Sequence, residues 1–354
     1  MSTLTVPRLN PVLALLAHFG SLRTTLACMA LLGAAVLAGS ATGLPAALVL
    51  GVTMGLLALN LTAALVVHPA LRRQLPLLVA HLALLALVVL VGWGRLTALD
   101  GRFELTQGLP FDGQLIEASA GRWHRSELAQ IGFRHDGFEI DYAPGRKRGA
   151  TRNQVAWVDA AGAPQAAMIG DHRPLVLRGY RFYTSSNKGF APLLTWRPQR
   201  GDALTGAVHL PGYPMHELRQ SSAWALPDGR RVWVKLQFDE TLIDPNAAAR
   251  FRLPESHRLV VHVGPLQTEL APGGSIALDG GTLVYEGLRT WMGYRVSYDA
   301  SLPWLLAAAL LAALALAWHY TQRFWLAERS VPDVNPVVAG AQPVAAAPQR
   351  TNDV

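Results

Sequence analysis

Residues 77–94 read LLVAHLALLALVVLVGWG, a run of leucine, valine and alanine interrupted near its start by one imidazole, His81. A run this long and this apolar meets the roughly 18 to 20 residues that a helix needs to cross a hydrocarbon core about 30 Å thick. Three further windows reach the same length, at 22–41, 46–67 and 302–320. Only short hinges, Gly43-Leu44-Pro45 and the stretch from His68-Pro69 to Pro76, separate the first three. Backbone in lipid must satisfy its own hydrogen bonds, so each window is read as a helix. Hydrophobic residues make up 51% of the 354, which fits a membrane protein better than a water-soluble one.

Arginines in short loops favour the cytoplasmic side of a membrane. Arg8 and Arg23 precede or open the first window, Arg72 and Arg73 lie between the second and third, and Arg323 and Arg329 follow the fourth. Both termini are therefore expected in the cytoplasm, with residues 95–301 outside the bacterial inner membrane. Residues 1–21 are read as a cytoplasmic or interfacial N-terminus. The first window is followed at once by a second, without a small-residue cleavage site, and is read as a retained anchor. Residues 321–354 are expected to be a disordered cytoplasmic tail, because they carry too few large apolar side chains to offset their ordering entropy.

Between Asp100 and Ser301 the pattern changes to short alternating stretches such as GFEIDY (137–142), QVAWVD (154–159), RVWVKLQFDE (231–240) and HRLVVHVG (257–264). Turn signals such as Ala143-Pro144-Gly145 and Pro227-Asp228-Gly229 bound them. The fold class expected is a membrane protein with four transmembrane helices, three N-terminal and one C-terminal, and a large, mainly antiparallel extracytoplasmic β domain.

The formal charge of +7 is dispersed, with Arg146-Lys147-Arg148 the only compact cluster, and this is read as a solvated basic loop, with no nucleic acid as partner. The single cysteine, Cys28, lies inside the first window, so the chain has neither a CxxC pair nor a CxxCH haem-attachment site. There is no P-loop, HExxH or GxSxG. No catalytic constellation is present, which favours binding or assembly over an enzymatic role.

Two readings stand for the aromatic stretches GYRFYTSSNKGFAPLLTWRP (179–198) and RTWMGYRVSY (289–298). They are core aromatics with arginines at strand edges, or a surface that grips an extended polypeptide or a porphyrin edge. Trp291, Tyr294, Tyr298 and Trp304 also fit an interfacial aromatic belt. His81 likewise has two readings, a hydrogen bond between helices or a functional ligand. A neutral imidazole is a good axial ligand for haem iron, and one helix face supplies only one such ligand. His18, His68 and His319 fall near the same inner side and are read as facing solvent or headgroups.

The order of three close spans, a large outer β domain, one last span and a short tail resembles the ResB/Ccs1 family of system II cytochrome c biogenesis. The resemblance covers nearly the whole chain, with local marks at 18–39, 80–113, 138–159 and 179–189. It implies a membrane partner of the ResC/CcsA type carrying a tryptophan-rich haem-handling loop and the ligase centre. It also implies that the pair moves haem b outward and joins it to the CxxCH cysteines of apocytochrome c. In the family the third-span histidine, here His81, is taken to pair with a histidine of the partner as a haem iron ligand. The rival readings are a structural membrane scaffold for another envelope complex without haem, and an envelope sensor, against which the domainless tail argues.

Overall fold

The computed structural model describes residues 11–41 and 46–329, so residues 1–10 and the expected disordered tail from 330 onward lie outside the described residues. The chain divides into a helical unit, Met1–Val89 with Leu305–Val354, and a β unit, Leu90–Trp304.

Among the described residues six α-helices occur: α1 (Pro11–Phe19), α2 (Leu22–Ala41), α3 (Ala46–Val67), α4 (Pro69–Arg73), α5 (Leu75–Thr97) and α6 (Leu302–Arg329). Three helical stretches, Val49–Val67, Leu75–Thr97 and Leu302–Trp325, are long and apolar enough to cross a membrane. The expected first span is one half of a bent pair, because Pro11–Phe19 and Leu22–Leu37 meet at 49°. Among the described residues the candidate spans therefore number three, or four if that pair crosses as one broken span. The helix of the last window runs on to Arg329, so residues 321–329 are helical where tail was expected.

The bend between α1 and α2 frees carbonyls that an apolar environment would leave unpaired. The amide of Asn60, almost fully buried on α3, donates to the carbonyl of Phe19 and accepts from the hydroxyl of Thr25 at 2.8 Å. His68 Nε2–H donates to the Gly20 carbonyl at 3.0 Å. His68, read from sequence as facing solvent or headgroups, is exposed, and its ring also completes the elbow's hydrogen bonding. Glycine is needed at position 20, since a Cβ there would press on the backbone of Ala63 and Ala64 at 2.8–2.9 Å.

In the β unit every strand pairing is antiparallel. The largest sheet has seven strands, in which the entry strand Leu99–Thr106 pairs with the exit strand Gly281–Tyr298, which pairs in turn with the central strand Tyr180–Pro198. A four-stranded sheet is built on Arg231–Gln237 and Arg258–Val263, and another on Phe133–Ala143 and Lys147–Val158. Buried residues alternate along Arg231–Gln237, as its apolar-polar sequence requires. All three sheets contribute to one core, in which Phe103 stacks on Tyr294 at 5.0 Å and Phe133 lies 5.1 Å from Phe182.

The exit strand corrects the aromatic-belt reading for two of its four residues. Trp291 and Tyr294 are core side chains, their polar atoms donating to the Leu210 carbonyl at 3.0 Å and to Asn153 Oδ1 at 2.8 Å. Tyr298 is half-buried and Trp304, on α6, is exposed. Register shifts at Tyr285/Gly287 and Met292/Tyr294 let one long strand bend around the core, and Gly287 supplies the positive φ at the first.

Asn153 also donates to His135 Nδ1 at 2.7 Å, so a fully buried imidazole ends a Tyr294–Asn153–His135 relay. Burial pushes the His135 pKa down to about 4, partly opposed by Asp136. Between about pH 6.5 and pH 4 the unfolded chain takes up a proton that the folded one refuses, so folding stability falls as the pH drops through that window. Thermal unfolding of the β unit within the full chain should lose up to about 3 kcal/mol over this range. The loss should be flattened in His135→Gln, as followed by the denaturation midpoint at each pH.

Candidate functional site

His81 sits in the second turn of α5, whose leucine, alanine and valine run sustains the helix without a break. Its Nδ1 lies 2.7 Å from the carbonyl of Leu77, one turn back. A carbonyl can only accept, so Nδ1 carries the proton and Nε2 keeps its lone pair. The ring is half-buried, and exposed leucines, Leu82 and Leu84, follow it along the helix. This arrangement can offer one nitrogen to a metal centre. Among the described residues no three His, Cys, Asp or Glu side chains are grouped as a metal site.

The histidines at 18 and 319 take different places. His18 is exposed. His319 is half-buried, edge-on to Tyr320 at 5.5 Å, and lines a cleft with Arg73, Leu77, Trp318 and Arg323, so it does not simply face solvent. Leu77, which holds the His81 ring, belongs to that same cleft.

Within the β unit, the end of α5 passes into the entry strand with almost no connection. The last carbonyls of a helix have no partner within it. Here the segment 121–124 supplies the donors: Trp123 N–H to the Leu96 carbonyl and Gly121 N–H to that of Ala98, both at 2.8 Å, and His124 Nδ1–H to that of Thr97 at 2.8 Å. His124 Nε2 then accepts from the Tyr180 hydroxyl at 3.1 Å, and burial raises the Tyr180 pKa, keeping that phenol a donor. On the other side, Asp299 accepts the backbone N–H and the hydroxyl of Ser301 at 2.8 and 2.6 Å, at the start of α6. Gly94 lies so close to Ser301 that a Cβ would collide with its hydroxyl.

The basic loop is also corrected in part. Arg146 pairs with Glu217 at 2.7 Å and Arg148 with Asp171 at 2.8 Å, both folded back on the domain, while Lys147 is exposed. Lys188 is buried nearby, and desolvation and Arg148 lower its pKa to about 8.

A family model described as the ResB-like family matches residues 71–268, which takes in α5 with His81, the 121–124 segment and most of the β unit. The chain belongs to the ResB-like family. No curated protein matches this ResB-like chain at a significant level. Membership suggests a role in cytochrome c biogenesis, and the apolar helices a membrane protein.

Of the residues singled out from sequence, His81 lies in the apolar helix α5, and His68 hydrogen-bonds the elbow between α1 and α2. Sequence reasoning passed over GRWHRSE (121–127), whose backbone ends α5; the tryptophan and two arginines packed into that loop were the available signal. A Cβ on Gly121 would overlap the carbonyls of Arg95 and Leu96. Gly121→Ala should therefore cost about 1–3 kcal/mol, lowering the thermal midpoint by several degrees. Gly132→Ala, where nothing lies within 4 Å of the new atom, should leave that midpoint unchanged.

Proposed function

We propose that this chain acts in system II cytochrome c biogenesis. With a ResC/CcsA-type partner it receives haem b as cargo at His81 and helps present it outside for attachment to the CxxCH cysteines of apocytochrome c. The observation that carries the reading is the lone pair left on His81 Nε2 inside an apolar span. Histidines within spans are costly and tend to be functional. A hydrogen bond from the other ring nitrogen to a backbone carbonyl fixes the tautomer that a metal-binding imidazole needs. One nitrogen from this chain requires a second ligand from the partner, which is also where the ligase centre belongs, since this chain has no catalytic constellation.

The orientation that suits this role puts both termini in the cytoplasm and the β unit in the periplasm, supported by Arg72-Arg73 between α3 and α5 and by Arg323 and Arg329 in the last turns of α6. His81 then lies about one helical turn inside the inner boundary of α5, where haem made in the cytoplasm arrives. The alternative, a scaffold that never meets haem, leaves the tautomer and the free nitrogen of His81 without a purpose.

His81→Ala in the complex with its partner should lower the copurifying haem b and block maturation of a c-type reporter, and added imidazole should partly restore the haem. Unchanged haem content and an unchanged absorption spectrum would reduce His81 to a packing residue.

A further inference from the structure

Within the helical unit, the apolar stretch Leu75–Thr97 begins and the apolar stretch Leu302–Trp325 ends at one cleft of about 910 Å³. Because one stretch starts where the other stops, the cleft lies at a boundary of the apolar region. Arg73, the last residue of α4, and Arg323, near the end of α6, both line it and are exposed.

The chain supplies these two guanidiniums with no counter-charge. No residue from 1 to 99 is aspartate or glutamate, and none from 302 to 327. Among the described residues neither arginine forms an ion pair. An arginine does not lose its proton in a protein, so this charge is met by water or by an anion from outside the chain.

Next to the charges the walls are apolar. Leu75 and Trp318 line the cleft at 57% and 43% exposure, and Leu77 lines it half-buried. Exposed leucines continue along both helices, Leu82 and Leu84 on α5 and Leu311 and Leu314 on α6. His319, also in the wall, stands edge-on to Tyr320, and such aromatic side chains are typical of headgroup depth.

Guanidinium grips a phosphate through a planar fork of donors. A soluble anion would meet the arginines and leave the leucines and Trp318 uncovered. A zwitterionic lipid brings an ammonium of its own, which two guanidiniums without a carboxylate repel. The ligand that fits has a phosphate head, no cation, and an apolar body continuing from it. Basic pockets between spanning helices take lipid headgroups on the same principle.

We propose that this cleft binds an anionic glycerophospholipid, its phosphate held by Arg73 and Arg323 and its acyl chains lying along α5 and α6. The site is independent of haem and of ligation by His81.

The test is native mass spectrometry of the full chain released from detergent micelles, titrated with phosphatidylglycerol and, separately, with phosphatidylcholine. Saturable phosphatidylglycerol binding is expected, at least about tenfold tighter than that of phosphatidylcholine, which is about 1.4 kcal/mol. Arg73→Gln with Arg323→Gln should remove that preference. Arg23→Gln with Arg95→Gln, an equal loss of charge at residues that do not line the cleft, should keep it. In the unaltered chain, added salt should weaken phosphatidylglycerol and leave phosphatidylcholine unchanged, a result that needs no variant to fold. Equal affinity for the two lipids, a preference unmoved by salt, a preference that survives in the Arg73/Arg323 pair, or its equal loss in the Arg23/Arg95 pair would overturn the proposal. Displacement of the lipid by an equal concentration of inorganic phosphate would also overturn it, assigning the arginines to a soluble anion. So would exclusion of the lipid when the chain is titrated in complex with its membrane partner, which would give the cleft to that protein.

Discussion

The last carbonyls of α5 must find donors outside their own helix, and the segment 121–124 provides them. Leu96, Thr97 and Ala98 are each met at 2.8 Å by Trp123 N–H, His124 Nδ1–H and Gly121 N–H. That closure lets a spanning helix turn into a strand within two residues, with no glycine cap and no linker. The entry strand then pairs with the exit strand from Leu99↔Tyr298 to Thr106↔Trp291, and the exit strand leads straight into α6. Ser301 against Gly94 brings the two helix ends together.

Much of this was legible because water and lipid impose periodicities on sequence. The run at 77–94 is apolar throughout, and a helix is the structure that satisfies its backbone there. Stretches such as RVWVKLQ alternate because one face of their sheet is buried. What was not legible depended on partners remote in sequence. Trp291 and Tyr294 look like a membrane belt because aromatic residues next to a span often form one; only pairing with the entry and central strands turns them into the core. Arg146 and Arg148 read as solvated until Glu217 and Asp171 are brought to them. The break between α1 and α2 had no proline to announce it, and its stabilising groups, Asn60 and His68, lie some forty residues away.

For the site, the sequence could single out His81 as a polar residue in an apolar run, but not which of its nitrogens is free. That follows from the Leu77 carbonyl. The segment 121–124 at the other end of α5 was illegible for another reason: it lies in a loop without periodicity, and it meets α5 mainly through backbone donors.

The central claim is that a nitrogen of this chain reaches haem iron. It is tested most directly by assembling the complex from separately expressed subunits, with ¹⁵N-histidine confined to this chain, and measuring hyperfine coupling on the ferric haem by electron–nuclear double resonance. The account predicts a ¹⁵N coupling from one axial ligand beside a ¹⁴N coupling from the partner's. Copurified haem with no ¹⁵N coupling would contradict it.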